Sequence, residues 1–434
     1  MTVQSDMWAS YNTHLDEWAR AETSRTEAGP RANRSAELDE RVQSDLNAAR
    51  ESRLRFMRSH GATIYDELTE GRSKAPRVKE LVGLAADKFP GLVPTEVQLA
   101  EQAGSRLAQK DPVELDQAIF FHGIFADEAS GQHLMRTMLR PTGQALGLLD
   151  EYIATGVVDL PNGRVERRDR AAWVFFKNPR YLNAEDDNTV RDLEVCVDLA
   201  LLDPLADICV TRGDRIDQGK YQDRHVYCTG INLTHLYQGK TSYMMYQDRE
   251  LGFINKMYRG LHMPNDFNDM GTEKLWLAGV DTFAIGGGCQ FLMVMDYTVA
   301  ARDAYMTLPA RKEGIIPAAA NMRLPRFVGD RVARQAILND RRIDCDSDVG
   351  RMICDEICEP DSVEDALVRM ADKLNNSGLV SAASNRRCFR IGQEPFDQFR
   401  NFMAIYSLDQ GRCHFSSALI RNLENFWGAA NRVD

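Results

Sequence analysis

One stretch constrains the fold of this chain more than any other: Val280-Asp281-Thr282-Phe283-Ala284-Ile285-Gly286-Gly287-Gly288-Cys289-Gln290. An apolar strand enters three consecutive glycines and leaves as an apolar helix. Glycine permits close backbone approach, and a helix start presents unpaired N–H groups at the positive end of its dipole. A second strand, Tyr227-Cys228-Thr229-Gly230-Ile231-Asn232-Leu233, also ends on a glycine and exposes the next N–H. Two such N–H groups converging on one carbonyl oxygen make an oxyanion hole. A third segment, Leu308-Pro309-Ala310-Arg311-Lys312-Glu313-Gly314-Ile315-Ile316-Pro317, precedes Arg323-Leu324-Pro325-Arg326-Phe327-Val328-Gly329. A glycine turn between strand and helix is by itself more often plain architecture than a site, so it is the order of the three segments that carries weight.

The rest of the chain frames these segments. With 434 residues, 44% of them hydrophobic, it can bury the cores of two or three units without disulfide staples. Residues 1–165 read as an all-α unit, because Ser35–Met57 and Thr95–Ala108 are rich in helix formers. Pro161-Asn162-Gly163 marks a turn. Beyond it the short apolar runs Ala172–Phe176, Ile208–Thr211 and His225–Cys228 alternate with the helical stretches Thr189–Leu202, Tyr246–Gly260 and Gly288–Met295. That alternation predicts an α/β unit over 166–360. A helical region, 361–434, follows through Val363–Leu374, Pro395–Tyr406 and Phe415–Phe426.

Charge and cysteine usage exclude several function classes. A formal net charge of -11 argues against a surface that tracks nucleic-acid phosphates, while leaving room for a local basic pocket for one phosphorylated ligand. The nine cysteines all lie between Cys196 and Cys413 with no C-x-x-C pair, which predicts a reduced, cytoplasmic protein. Cys354 and Cys358, four apart on a predicted helix, lack the second pair of a zinc site and read as buried apolar side chains. His14-Leu15-Asp16 has the spacing of part of an iron site, but its polar terminal segment makes coincidence the better reading. No dinucleotide fingerprint, haem-attachment motif or H-E-x-x-H occurs. The start has no signal-peptide pattern and no apolar run reaches about 18 residues, so neither secretion nor membrane spanning is expected.

In this order, the three segments resemble the enoyl-CoA hydratase/isomerase (crotonase) superfamily over residues 170–360. The resemblance implies an α/β fold, a crotonase-like ββα spiral core with an all-α N-terminal domain and C-terminal helices. It makes the Ile231 and Gly287 N–H groups the oxyanion donors, each following a glycine, Gly230 or Gly286. It places Arg180 and the Asn183-Ala184 pair where the chain begins to line a CoA site. It also implies a homo-oligomer, a trimer or hexamer.

The departures narrow the function. A hydratase of this family uses two carboxylates, at the positions filled here by Gln290 and Ala310. An amide exchanges no proton near neutral pH and alanine offers nothing, so paired acid–base addition of water is not supported. Glu313 stands three residues beyond Ala310 and is a candidate to substitute for the missing carboxylate, although its neighbours Arg311 and Lys312 favour a surface or ion-pair role. What survives is a device for stabilising a thioester enolate, which demands an unusually acidic α-carbon such as that of an arylacetyl-CoA.

The helical N-terminal unit, the A-I-G-G-G-C-Q string and the L-P-A-R-K-E-G-I-I-P string narrow the resemblance further, over residues 100–400. It becomes a resemblance to the superfamily's dihydroxyphenylacetyl-CoA dioxygenases of glycopeptide antibiotic biosynthesis. These imply an arylacetyl-CoA thioester and O2 as substrates, no cofactor, and no nucleic-acid or membrane partner. Glu185, Arg249 and Gln290 are then candidates for holding the ring hydroxyls or taking the proton. Against this, Glu185 also reads as part of a solvated cluster with Asp186 and Asp187, and Arg249 as half of a surface Arg–Glu pair. In the family's pattern Ile315 and Ile316 face the pocket, as an apolar compartment for oxygen or as ordinary core. Another acyl-CoA enolate enzyme of the same fold (isomerase, hydrolase or synthase) and a non-catalytic CoA-binding protein remain open readings.

Overall fold

The computed structural model describes residues 3–264, 271–375 and 378–432, which divide into two units. The first comprises Met1–Thr137, Leu233–Met244 and Phe396–Asp434. It is helical, and its longest helix, Ala36–Leu68, shows why. Ser35 caps it by accepting from the Leu38 N–H at 3.2 Å, and Glu37 and Asp39 complement the dipole of its first turn. Val42, Leu46, Ala49, Phe56, Ile64 and Leu68 then fall on one buried stripe at helical spacing. The helix expected over Thr95–Ala108 is interrupted: Glu96–Glu101 stops short, and Gly104 at φ +78° leads to a 3₁₀ turn at Leu107–Gln109. His14 is a core residue. Its Nε2 lies 3.1 Å from the Gly91 carbonyl, and burial beside Arg53 pushes its pKa down to about 3.

The second unit, Met138–Asn232 with Met245–Pro395, holds the ten strands of the described residues. In chain order these are β1 (Val157–Leu160), β2 (Gly163–Arg168), β3 (Ala171–Phe176), β4 (Ile208–Gly213) and β5 (Leu275–Val280). They continue as β6 (Phe283–Ile285), β7 (Tyr297–Ala301), β8 (Tyr305–Thr307), β9 (Ile343–Asp344) and β10 (Glu356–Cys358). A seven-stranded sheet runs β1-β2-β3-β4-β5-β7-β10, antiparallel through β3 and parallel from there on. A three-stranded sheet runs β6-β8-β9. Both β3 and β4 are buried at every residue, as strands of a covered parallel sheet must be. The Asp187–Leu202 helix packs on β2 and β3, and the Val363–Asn375 helix on β4, β5 and β7.

Four local expectations are corrected. Strand structure begins at Val157, and Pro161-Asn162 is the loop of the β1–β2 hairpin. The run His225–Cys228 forms only isolated bridges, Arg215↔His225 and Cys228↔Ala284, because its other backbone groups serve loops. The helix expected over Tyr246–Gly260 has a π turn, Glu250–Ile254, between Met244–Arg249 and Asn255–Arg259, with Gly252 outside helical space at φ -86°, ψ -113°. Cys354 and Cys358 share no helix: ladder pairing with β7 overrides the four-residue spacing, and Cys358 ends β10.

Candidate active site

Parallel pairing explains why the first candidate oxyanion donor is free. The Glu185 N–H donates to the Gly230 carbonyl at 2.7 Å, and the Asn232 N–H donates to the Glu185 carbonyl at 2.7 Å. Glu185 thereby brackets Ile231, whose own N–H points to the other side and finds no acceptor among the described residues. The second donor comes from the glycine run. Gly286, at φ +53°, donates to the Thr307 carbonyl at 2.8 Å, and the helix Gly287–Leu292 then starts with the Gly287 N–H unpaired. The two donor segments touch. A Cβ at Gly230, which sits at φ +77°, would stand 2.8 Å from the Gly287 nitrogen, so glycine there is required by both conformation and space.

Behind the donors lies a buried ionic cluster. Glu185, Arg249, Glu250 and Gln290 are each less than a tenth exposed. The Arg249 guanidinium reaches Glu185 with two bonds, 2.7 Å from Nε and 3.1 Å from one terminal nitrogen. Its other terminal nitrogen donates to Glu250 at 2.6 Å and to the Gln290 side-chain oxygen at 2.6 Å. The fork geometry of arginine suits this arrangement, and the ring of Phe291 lies 5.0 Å from the guanidinium carbon on its face. The cluster abuts Gly287. A Cβ on Gly287 would fall 1.8 Å from a Glu185 carboxylate oxygen and 2.7 Å from an Arg249 nitrogen. Burial holds the Glu250 carboxyl above its ordinary pKa range, against the pull of the Arg249 charge.

Glu185, Arg249 and Gln290, far apart in sequence, are thus neighbours of Gly287. The solvated-cluster reading of Glu185 and the surface-pair reading of Arg249 are both overturned. Asp186 instead caps the Asp187–Leu202 helix, accepting from Asn188 and Thr189 at 3.2 and 3.0 Å. The Arg249–Glu250 pair does form, but in the interior, so Glu250 joins the site. Its adjacency to Arg249 was the only sequence signal. Ala184 is buried, and its carbonyl accepts from Asn178 Nδ2 at 2.9 Å. Arg180 is exposed on the Pro179–Tyr181 turn, with its guanidinium 5.5 Å from the Tyr181 ring, and is not part of the buried cluster. Ile315 and Ile316 are half-buried after Gly314.

Glu313 departs from its expected role. Arg311 and Lys312 turn to Asp340, at 3.2 and 3.6 Å, while the Glu313 carboxyl takes no hydrogen bond or ion pair from the described residues. Desolvation, with the Asp340 charge behind it, pushes the pKa of Glu313 up to about 8. No group of three metal-ligating side chains occurs among the described residues.

Comparison with known proteins identifies relatives of this chain. The enoyl-CoA hydratase/isomerase family matches residues 171–390. The chain is 42% identical over 388 residues to a (3,5-dihydroxyphenyl)acetyl-CoA 1,2-dioxygenase from Amycolatopsis orientalis, covering 89% of each. It is 24% identical over 241 residues to a short-chain-enoyl-CoA hydratase from Clostridium acetobutylicum, covering 55% of this chain and 84% of that one. A crystal structure of an enoyl-CoA hydratase from Bacillus halodurans has the same fold, with a TM-score of 0.50 at 13% identity over 61% of this chain and 99% of that chain.

Proposed function

The chain belongs to the enoyl-CoA hydratase/isomerase family, and on that premise we propose that it is a cofactor-independent dioxygenase of (3,5-dihydroxyphenyl)acetyl-CoA. The observation that carries the reading is the Glu185–Arg249–Gln290 cluster packed against the oxyanion glycine, with Gln290 at a position where a hydratase would hold a carboxylate for water addition. Gln290 and Ala310 leave hydration without its acid and base. The Amycolatopsis orientalis relative, which covers 89% of this chain, is named for dioxygenation of this substrate.

The reaction starts with loss of the α-proton, the enolate oxygen resting on the Ile231 and Gly287 N–H groups, each donor contributing roughly 3–4 kcal/mol. The aryl ring spreads the carbanion charge, and phenolic hydroxyls match the acceptor oxygens of Glu185 and Gln290 and the donors of Arg249. The carbanion passes one electron to O2, and the radical pair recombines as an α-peroxide. Attack of the peroxide on the thioester carbonyl expels CoA and closes a four-membered peroxy ring; loss of the second α-proton then forms the ketone as the O–O bond breaks, giving 3,5-dihydroxyphenylglyoxylate. Electrons come from the substrate carbon, so the chemistry calls for no metal or organic cofactor. Ile315 and Ile316 offer apolar surface for oxygen, Arg180 a cation for the CoA phosphates, and Gly230, Gly286 and Ala184 the close backbone walls. An arylglyoxylate is one transamination from an arylglycine, which suits supply of dihydroxyphenylglycine for vancomycin-type glycopeptide antibiotics.

The test is oxygen consumption with (3,5-dihydroxyphenyl)acetyl-CoA after exhaustive chelation. We expect one O2 consumed per CoA released, with label from ¹⁸O2 in both the ketone and the carboxylate of the product. Activity abolished by chelation and restored by iron would sink the proposal. CoA release without oxygen uptake would point to a hydrolase of the same fold.

A further inference from the structure

We propose that the Glu313 carboxylate is the base that removes the α-proton from the bound arylacetyl thioester. The inference deepens the enolate reading above and rests on it. Its ground is placement. The short helix Ala310–Glu313 ends on Gly314, at φ +80°, which turns the chain and leaves Glu313 on its last turn. The Glu313 carboxylate oxygens lie 3.9 and 4.0 Å from where a Cβ on Gly286 would sit. They therefore stand over the glycine immediately before the Gly287 donor, beside the place where the thioester oxygen is held.

Availability is the second ground. Of the carboxylates brought to this site, Glu185 and Glu250 are tied to Arg249. Glu313 takes no hydrogen bond or ion pair from the described residues, because the cations on either side of the turn, Arg311 and Lys312, are spent on Asp340. The residue also keeps some accessible surface, so it borders open space. Its pKa of about 8 suits a group that must both take and return a proton near neutral pH. In the step itself the Cα–H bond breaks and its electron pair moves through the carbonyl carbon onto the thioester oxygen. The proton ends on a Glu313 oxygen, and the neutral acid later returns it to the departing CoA sulfur.

The experiment is exchange of the α-hydrogens of (3,5-dihydroxyphenyl)acetyl-CoA with deuterium oxide, without oxygen, followed by NMR beside a binding measurement. Glu313→Gln, of equal size, should lose at least about 100-fold in exchange rate while binding the thioester as before, and Glu313→Asp should recover part of the rate. Exchange by Glu313→Gln at the parent's rate would overturn the assignment. So would loss of binding in step with exchange, which would make the residue a structural support. A parent enzyme that neither exchanges nor consumes oxygen would remove the dioxygenase reading itself. A parent that does both beside an unaffected Glu313→Gln removes only this inference.

Discussion

At the scale of single residues, the site depends on what glycine leaves out. Gly287→Ala would drive a methyl into the Glu185–Arg249 ion pair, which must then shift in a packed interior. We expect turnover to fall by roughly 10²–10³-fold with the fold retained, measured as α-exchange beside circular dichroism. Glu313 gives a second prediction. Its native pKa of about 8 lies above the ordinary 4.5, so the folded state keeps a proton that the unfolded chain releases between those values. Native stability therefore falls as pH rises through that window. Glu313→Gln should gain on the parent across it and level off above, in urea midpoints taken at several pH values. The glycines and Gln290 were legible in sequence because a fixed motif places them. The burial of Glu185 was not, because a run of three acids looks solvated until pairing to both neighbours of Ile231 pins the first of them inside.

At the scale of elements, the helix Gly287–Leu292 both supplies a donor and carries the packing behind the ion cluster. Phe291 on that helix meets the rings of Phe176 at 4.8 Å, Phe253 at 5.4 Å and Tyr227 at 6.4 Å. Phe291→Ala should cost about 3–5 kcal/mol in denaturant unfolding and also lower activity, because Arg249 loses the face it lies on. An activity loss without a stability loss would contradict this packing role. The strand β3 could be read from sequence because it is apolar at every position, and β4 from the apolar run with which it opens, Ile208–Val210. The segment around Cys228 could not. It is equally apolar, but its backbone bonds are divided among separate partners, and no periodicity records that.

At the scale of the whole molecule, the change from a helical N-terminal pattern to alternating strands and helices was plain in sequence, since the hydrophobic period changes. Which helices join which unit was hidden: Leu233–Met244 and Phe396–Asp434 belong with the first unit across long stretches of chain. No helix among the described residues is long and apolar enough to cross a membrane. The helix Leu379–Gln393 leaves Val380, Phe389 and Ile391 more than half exposed. Light scattering should report a trimer or hexamer, and a monomer at micromolar concentration would refute that assembly.

The π turn at Glu250–Ile254 has an arithmetical consequence. Arg249 on one side of it reaches Glu185, and Lys256 on the other reaches Glu194 and Asp198 at 2.7 and 2.6 Å. Each residue added to or removed from a helix rotates all that follows by about 100°. The π turn absorbs one residue more than a regular turn, so winding the same residues as a regular helix would swing one flank about 100° against the other, and only one of the two charges could keep its partners. Here the specificity of the site is written in the number of residues as well as in their kind, because the wider turn is what lets this many residues present Arg249 and Lys256 to their separate partners.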